Sequence, residues 1–318
     1  MKKVLIANRG EIAIRIARTC NDLGLKTVGI YSEDDANSLH LSKVDEAYKI
    51  DEKGAQAYLD IKEIIRIAKE SKADAIHPGY GFLSENSLFA SAVKRAKIKF
   101  IGPNERTLKI FGDKTSAKEL ASSLNIPVIA GTHEKTSIRK AQSFMKSLKK
   151  NSSVVIKAIS GGGGRGMRVV SKIDDLKESF DRAASEAKAS FDSPDLYLEE
   201  YLKNYRHIEF QVIGDGTGGV SHLHERECSI QRRHQKLIEI APSPSLDLQL
   251  KNKMVEASLA LAKKLKYEGL ATIEFLVNVE KNDFRFIECN PRLQVEHTVT
   301  ESVLSMDIVK AQIQVASG

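Results

Sequence analysis

Residues 286–297 constrain the fold of this chain more than any other stretch, because their polar and apolar side chains alternate. The polar positions are Glu288, Asn290, Arg292, Gln294 and Glu296, and the apolar positions between them include Ile287, Cys289, Leu293 and Val295. In an extended chain, side chains two residues apart point to the same side. The pattern therefore predicts a strand with all five polar groups on one face.

A second alternating stretch precedes it. Thr272, Glu274 and Asn278 alternate with apolar residues, and a polar turn at 280–283 separates the two stretches. Two alternating runs joined by a short polar turn predict a β-hairpin. If the hairpin is centred on Lys281, Glu274 lies directly opposite Glu288 on the face that also carries Asn290, whereas a loop of even length would break this register.

Two carboxylates that face each other repel unless a cation lies between them. Hard divalent cations such as Mg²⁺ or Mn²⁺ bind carboxylate and amide oxygens and take further ligands from substrate phosphates. The alternative is a solvated strand face, but such faces usually intersperse lysines, and Arg292 is the only cation in this row. We therefore predict a metal site formed by Glu274, Glu288 and Asn290.

Composition places the chain among soluble proteins. Its 318 residues predict two or three subdomains, and 42% hydrophobic with 29% charged residues is typical of globular chains. The net charge of +7, from 49 basic and 42 acidic residues spread along the chain, suits anionic substrates such as nucleotides. The basic cluster at 232–236 lacks flanking aromatics, so nucleic-acid binding is not favoured.

The cysteines and the apolar runs bear on location. Cys20, Cys228 and Cys289 have no paired spacing, so neither a disulfide framework nor a zinc site is indicated, and reduced thiols are expected. No apolar run reaches the length needed to span a membrane. We expect a cytoplasmic protein that does not bind membranes.

The first third of the sequence alternates short apolar strands, near 3–7, 27–31, 73–76 and 99–101, with helical stretches. This alternation predicts a doubly wound parallel sheet covered on both faces, with Ser84 as the N-cap of one helix. No Gly-x-Gly-x-x-Gly follows the first strand, so the lobe is interpreted as a scaffold. At the other end, residues 302–316 predict one amphipathic helix.

A glycine-rich loop occupies residues 160–166. It lies between the strand that ends near Lys157 and another strand at 167–170, so it joins strand to strand and lacks the Lys-Ser/Thr pair of a Walker loop. This context predicts a flap that folds over nucleotide phosphates, with Lys157 supplying a charge. The alternative is an ordinary loop tip.

Several strings together resemble the biotin carboxylases, a branch of the ATP-grasp superfamily. They are ANRGEIA at 7–13, HPGYGFLSEN at 77–86, FGDK at 111–114, GGGGRGM at 161–167, ERECSIQRRHQK at 225–236 and RLQVEH at 292–297. The resemblance covers the chain from Met1 to Gly318. Biotin carboxylase is the ATP-dependent component of acetyl-CoA, propionyl-CoA and pyruvate carboxylases.

The resemblance implies a mixed α/β and α+β fold. Its parts would be an N-terminal doubly wound parallel-sheet lobe (1–113), a connector (114–131), a mobile ATP-grasp lid carrying the glycine flap (132–202) and a central ATP-grasp lobe (203–318). Family members continue beyond Gly318 and include a downstream arginine at the biotin site. The central lobe is therefore expected to be incomplete, and turnover by this chain weaker.

The resemblance also implies roles for individual residues. ATP would contact Lys114, Lys157, Gly161, Gly162, Gly163, Gly164, Gly166, Glu199, Glu200, Tyr201, Leu202, His207 and His234. Bicarbonate would contact Lys236, Arg292, Gln294 and Val295, and biotin would contact Tyr80, Gly81, His207, Gln231 and His234. Glu296 would be the general base, with Arg292 and Lys236 as the other catalytic groups, and Glu274, Glu288 and Asn290 would hold Mg²⁺.

The implied activity is carboxylation of biotin with bicarbonate through carboxyphosphate. No biotinylation sequence is present, so the biotinyl carrier is expected on another chain or domain, with a carboxyltransferase as a further partner and a homodimer as the assembly. Two alternatives stay open: another bicarbonate-using ATP-grasp ligase of the carbamoyl-phosphate synthetase kind, and an ATP-binding fragment without catalysis.

Overall fold

Three β-sheets organise the chain. The computed structural model describes residues 1–132, 134–150, 152–159, 167–232, 235–278 and 280–318. One sheet is parallel and belongs to the N-terminal lobe, and the other two are antiparallel. The predicted mixture of a parallel lobe followed by antiparallel sheets is confirmed.

The N-terminal sheet is built from five parallel strands in the order β3-β2-β1-β4-β5. The strands are β1 (Lys3–Ile6), β2 (Lys26–Tyr31), β3 (Glu46–Lys49), β4 (Ala75–His77) and β5 (Lys99–Phe100), and the helices are α1 (Gly10–Asp22), α2 (Gly54–Ala57), α3 (Ile61–Glu70), α4 (Ser87–Arg95) and α5 (Glu105–Gly112). Short 3₁₀ turns occur at Glu33–Asp35, Leu39–Lys43 and Ile173–Asp175.

Alternate residues of β1 feed two separate hydrophobic cores. Leu5 packs with residues of α3 and α4, whereas Val4 and Ile6 pack with α1 on the opposite face. The sheet is therefore covered on both sides, as the apolar strands predict. The prediction that Ser84 caps α4 is wrong, because Asn86 accepts from the Phe89 amide (2.9 Å) and Ser84 lies in the turn before it.

The loops after β1 and β4 meet at the edge of this lobe. Asn8 donates from Nδ2 to the carbonyls of Pro78 and Tyr80, at 2.8 Å each. Gly79 between them has φ +65°, and a Cβ there would lie 2.9 Å from Asn8 Nδ2. Glycine is needed at this position, since both the backbone conformation and the close approach exclude a side chain.

The second sheet has three antiparallel strands in the order β7-β6-β8. Its elements are α6 (Lys114–Ser123), which precedes it, then α7 (Ile138–Ser147), β6 (Ser153–Ala158), β7 (Arg168–Val170), α8 (Leu176–Phe191) and β8 (Leu196–Tyr201). Strands β6 and β7 pair directly, so the glycine-rich segment does join strand to strand. The segment itself, residues 160–166, lies outside the described residues.

The third sheet is antiparallel in the order β11-β10-β9-β12-β13. Its elements are β9 (Arg206–Asp215), β10 (Val220–Arg232), β11 (Gln235–Ile240), α9 (Leu248–Lys264), β12 (Glu268–Asn278) and β13 (Asp283–Asn290). On one face, Ile208, Phe210 and Phe275 pack against α6 and α9. On the other face, Glu209, Gln211 and Glu274 form a buried polar layer.

The chain after β13 differs from the prediction. The extended run ends at Asn290, because Pro291 follows and the Arg292 amide then turns back to the Asn290 carbonyl (2.9 Å). The prediction of a single C-terminal helix is wrong. Helices α10 (His297–Leu304) and α11 (Ile308–Ser317) are separated at Ser305, whose backbone is in the left-handed conformation with φ +50°. Helix α11 packs back onto the N-terminal sheet, in the core of Val4 and Ile6.

The second and third sheets are connected through residues 126–132. Phe286 of β13 donates its amide to the Pro127 carbonyl (2.7 Å), and Glu200 of β8 donates to the Ala130 carbonyl (2.8 Å). The second and third sheets therefore share a continuous backbone link, and a cleft opens between them. Within the described part of the chain, no helix is both long and apolar enough to cross a membrane.

Candidate active site

The hairpin of β12 and β13 places Glu274 directly opposite Glu288. The connecting loop is not centred on Lys281: Asn278 pairs with Asp283, which leaves the even-length loop 279–282. A bulge compensates for it, since Phe275 pairs with Phe286 and Ile287 is the extra residue. The predicted pairing of the two carboxylates is therefore confirmed, although the predicted loop is wrong.

The two carboxylates face a cleft of about 770 Å³ between the second and third sheets. Most of the site residues expected from the sequence line it: Lys114, Lys157, Glu199, Glu200, Tyr201, Leu202, His207, Gln231, Lys236, Glu274, Glu288, Asn290, Arg292, Gln294, Val295 and Glu296. The residues come from both sheets and from the turn after β13. The fold thus brings together side chains that are far apart in the sequence.

Glu274 is surrounded by donors. It accepts from His207 Nε2 (2.7 Å), from Asn290 Nδ2 (2.6 Å) and, at longer range, from Lys236 Nζ (3.4 Å). Burial alone would raise the pKa of Glu274, but the His207 hydrogen bond and the Lys236 charge outweigh it and lower this pKa. Glu274 is therefore an ionised carboxylate at neutral pH.

Glu288 has the opposite electrostatics. Its partly buried position and the charge of Glu274 raise the pKa of Glu288, while Lys114 and Lys157 act against this shift. A cation bound between two neighbouring carboxyl groups offsets the repulsion that raises the pKa of one of them. Oxygen donors from Glu274, Glu288 and Asn290 therefore fit a hard divalent cation.

Lys236 connects three carboxylates. Its Nζ lies 2.5 Å from Glu209 Oε2, 2.8 Å from Glu296 Oε1 and 3.4 Å from Glu274 Oε1. Burial alone would lower the pKa of Lys236, but these carboxylates raise it well above its ordinary value. The ammonium group is thus permanently charged and fixed in position.

Glu296 and Arg292 lie beside this ammonium group. Burial would raise the pKa of Glu296, but the charge and hydrogen bond of Lys236 lower it. Arg292 donates from Nη1 to Gln294 Oε1 (2.9 Å) and from Nε to Glu85 Oε1 (2.5 Å). The arrangement offers an ionised base and two fixed cations at one end of the cleft.

On the side of the cleft formed by the second sheet, Glu199 joins two lysines. Its Oε2 accepts from Lys157 Nζ (2.5 Å), and its Oε1 accepts from Lys118 Nζ. Lys157 and Glu199 come from the neighbouring strands β6 and β8, and Lys118 comes from α6. Burial lowers the pKa of Lys118 to about 7 and that of Lys157 to about 8, so with both amines protonated the cluster has two positive charges for one negative charge next to Lys114.

His207 links the two ends of the polar layer. It donates from Nε2 to Glu274 and accepts at Nδ1 from Gln231 Nε2 (2.8 Å). Burial would lower the pKa of His207, but the hydrogen bond and charge of Glu274 raise it. The contact of His207 with Gln231 brings two of the residues expected at the biotin site together.

Some expected residues do not line the cleft. Tyr80 and Gly81 lie in the loop after β4, and Glu85 of this loop contacts Arg292 at the rim of the cleft. Gly161, Gly162, Gly163, Gly164, Gly166 and His234 fall outside the described residues. Their expected roles stay predictions.

The polar residues of the site that the sequence interpretation missed include Glu85, Lys118 and Glu209. Glu209 alternates with Ile208 and Phe210 on β9, so its place on the polar face could have been found from strand periodicity. Lys118 lies one helical turn after Lys114, which puts both on one face of α6. Glu85 comes next to Arg292 only through the packing of the lobes, and local sequence gives no signal for that.

Family models match nearly the whole chain. Residues 1–108 match the model described as biotin carboxylase, N-terminal domain, and residues 113–318 match the model described as carbamoyl-phosphate synthase L chain, ATP binding domain. Among curated proteins, pyruvate carboxylase from Bacillus subtilis is 52% identical over the full chain, and human mitochondrial pyruvate carboxylase is 49% identical. The chain spans 28% and 27% of the length of these two relatives.

Solved structures with the same fold include a biotin carboxylase complex with β,γ-ATP from Campylobacter jejuni. It has a TM-score of 0.94 and 45% identity, and the match covers all of this chain and 71% of the other. The biotin carboxylase domain dimer of Hydrogenobacter thermophilus 2-oxoglutarate carboxylase, in complex with MgADP, ADP and bicarbonate, also has a TM-score of 0.94, with 43% identity and 70% coverage of that chain. With this identity over the whole of its length, the chain belongs to the biotin carboxylase family.

Proposed function

We propose that this chain catalyses the ATP-dependent carboxylation of biotin with bicarbonate. The observation that carries the proposal is the convergence of Lys236, Arg292 and Glu296 on one end of a cleft whose other end presents Lys114 and Lys157. The first set fits a small anion that must lose a proton, and the second fits a polyphosphate. The Hydrogenobacter relative is described in complex with both MgADP and bicarbonate.

In the first step, Lys236 and Arg292 would hold bicarbonate by charge-assisted hydrogen bonds. Glu296, ionised because Lys236 lowers its pKa, would accept the bicarbonate proton. The bicarbonate oxygen then bonds to the γ-phosphorus of ATP, and ADP leaves to give carboxyphosphate. Carboxyphosphate would then break down to CO₂ and phosphate, the phosphate would take the ureido N–H proton of biotin, and the ureido nitrogen would bond to the carbon of CO₂.

The nucleotide would lie between the second sheet and the third sheet. Lys114 and Lys157 would contact its phosphates, and Glu199, Glu200, Tyr201 and Leu202 would border the adenine. Glu274, Glu288 and Asn290 would hold Mg²⁺, which when bound neutralises charge on the phosphoryl oxygens. The glycine-rich segment and His234 are assigned to the same substrates from the sequence alone.

The organisation of the whole protein is also part of the proposal. We retain the division into an N-terminal lobe (1–113), a connector (114–131), a lid (132–202) and a central lobe (203–318). A biotinyl carrier and a carboxyltransferase would be the partners, and a homodimer the assembly; the Hydrogenobacter relative is described as a dimer. Tyr80 and Gly81 would reach biotin only if their loop moves toward the cleft.

The proposal is tested by bicarbonate-dependent ATP hydrolysis with and without free biotin. ADP release should require bicarbonate, and carboxybiotin should form when biotin is added. Glu296→Gln should abolish the bicarbonate-dependent part while the rise in melting temperature caused by Mg-ATP persists. Glu280→Gln, at the exposed hairpin tip, is the matched control.

Two results would count against the proposal. ATP hydrolysis that ignores bicarbonate would remove the bicarbonate site, and carbamoyl phosphate formed from ammonia would favour a carbamoyl-phosphate synthetase-like ligase. The contact of Gln231 with His207 supports biotin over that alternative, because it assembles a polar border beside the bicarbonate end.

A further inference from the structure

Lys118 is a buried lysine with a direct connection to the cleft. Its side chain is only 6% exposed and its ammonium group contacts Glu199 Oε1, and the ammonium group also lies 5.8 Å from the centre of the Tyr197 ring. Lysine is rarely buried to this degree unless its charge is paired. Lys118 belongs to none of the motifs on which the site assignment was based.

The strand register explains how Lys118 reaches the site. Tyr197 and Glu199 project from the same face of β8, and Lys157 on β6 pairs with Tyr197. Lys118 approaches this face from α6. Ala117 and Ala121 of the same helix pack in the core of the third sheet. The contact of Lys118 with Glu199 therefore joins the second sheet to α6, which packs on the third sheet, the sheet that carries Glu274 and Glu288.

The charges in this cluster do not balance. Glu199 accepts from both Lys118 and Lys157, so one negative charge is shared by two positive charges. Burial, with the charges of neighbouring ammonium groups, lowers the pKa of Lys118 to about 7 and that of Lys157 to about 8, while the charge of Glu288 acts against both shifts. Glu199 contacts both amines and so stabilises their protonated forms. With both amines protonated, the trio carries one positive charge in excess beside the cleft.

The same trio without Lys118 would behave differently. Glu199 would then pair with Lys157 alone, and this pair would be electrically neutral. Lys157 lines the cleft, whereas Lys118 does not. The excess charge would therefore be lost from the side of the cluster that faces a bound ligand.

We propose that Lys118 is a positioning residue of the nucleotide site: by sharing Glu199 with Lys157, it leaves Lys157 able to serve the phosphates of the nucleotide. This inference rests on the proposed binding of ATP. Under this proposal, the contribution of Lys118 to ligand affinity increases with the number of phosphates on the ligand. A purely structural role would weaken every ligand alike.

The test compares the binding of AMP, ADP and ATP, with Mg²⁺ present, to the wild type and to Lys118→Met by isothermal titration calorimetry. Removing one unit charge at this range should weaken ATP binding about tenfold and AMP binding by no more than about twofold. Lys118→Arg, which keeps the charge, should retain the wild-type preference for ATP over AMP.

A double variant tests the charge argument directly. Lys118→Met combined with Glu199→Gln restores the net charge of the trio, so its preference for ATP over AMP should return toward the wild-type ratio, even if the absolute affinities fall. Lys109→Met, at an exposed lysine of α5, is the control for removing a surface charge. If Lys118→Met does not fold, the ratio of ATP affinity to AMP affinity is measured in Lys118→Gln instead.

The outcomes separate this inference from the proposed function. A wild type that does not prefer ATP to AMP would remove the phosphate site and both proposals. A wild type that prefers ATP, together with variants of Lys118 that lose the three ligands equally or keep the full preference, would overturn the role of Lys118 alone.

Discussion

Glu85 and Arg292 form an ion pair between two lobes, with 2.5 Å between Arg292 Nε and Glu85 Oε1. Glu85 belongs to the loop after β4, and Arg292 belongs to the turn after β13. The other arm of the guanidinium donates to the Leu293 carbonyl (3.0 Å) and to Gln294 Oε1 (2.9 Å). The N-terminal lobe thus helps to set the orientation of a cation at the proposed bicarbonate site.

Replacing Glu85 by Gln should raise the KM for bicarbonate and leave the KM for ATP unchanged. The pair is partly exposed, so its loss should cost no more than about 1 kcal/mol, which corresponds to roughly a fivefold change. Steady-state kinetics with each substrate varied would measure both constants. Glu52→Gln, at an exposed site in the same lobe, should change neither, and an unaltered bicarbonate KM in Glu85→Gln would show that Arg292 is oriented without Glu85.

Arg226→Met should destabilise the fold strongly. Arg226 is fully buried and donates to Glu209 (2.5 Å), Gln211 (3.0 Å), Thr300 (2.7 Å) and Thr272 (3.2 Å). Removing one partner of a buried ion pair leaves the other charge uncompensated and typically costs about 3–5 kcal/mol. Thermal unfolding by calorimetry should show a much larger fall in Tm than Arg66→Met, whose ion pairs are on the surface. Equal shifts would contradict the prediction.

His77 predicts a pH dependence of stability. Burial lowers the pKa of His77 from 6.5 to about 3, so the folded protein holds this histidine neutral while the unfolded chain binds a proton below pH 6.5. A lowered histidine pKa means that stability is complete above about pH 6.5 and is lost as the pH falls toward 3. At pH 5 the loss should reach about 2 kcal/mol.

The measurement is urea unfolding followed by circular dichroism at pH 7 and pH 5. His77→Gln should lower the stability at pH 7 but should reduce the difference between the two pH values by about 2 kcal/mol. His224→Gln, at an exposed histidine, should leave that difference as it is in the wild type. The same difference in His77→Gln and the wild type would assign the acid sensitivity to other groups.

Glu288→Gln should weaken the Mg²⁺-dependent part of ATP binding. The change removes the carboxylate whose pKa is raised by Glu274, so a cation between the two positions would meet one negative charge in place of two. The rise in Tm caused by ATP should therefore depend less on added Mg²⁺ than in the wild type. Glu280→Gln on the same hairpin should behave like the wild type. A full Mg²⁺ effect in Glu288→Gln would place the metal elsewhere.

The sequence predicted the parts of the fold that follow from periodicity. Short apolar runs predicted β1, β2, β4 and β5 of the N-terminal lobe but not β3 (Glu46–Lys49). Alternation predicted the hairpin with Glu274 opposite Glu288, because side-chain direction in a strand depends on local position alone. The same rule was wrong beyond Asn290, where Pro291 and the turn at Arg292 end the strand. Arg292, Gln294 and Glu296 reach the cleft through tertiary packing, which alternation does not describe.

The site residues divide in the same way. Those in distinctive strings, such as Lys236 and Glu296, were found from the resemblance to a family. Lys118 was missed because its spacing from Lys114 shows that the two share a face of α6 but does not show that Lys118 is buried. Its partner Glu199 comes from a strand about eighty residues later in the sequence. The packing of α6 against the second sheet brings the two side chains together.

The four-residue turn and the bulge at Ile287 have a consequence for how this hairpin can change in length. Each alone would shift the register, and together they cancel. A single-residue deletion in the turn would therefore turn the side chains on one arm to the opposite face unless the bulge were lost as well. Insertions and deletions at the tip should be tolerated only in compensated pairs, so the hairpin is a poor place to splice in foreign sequence even though its tip is exposed.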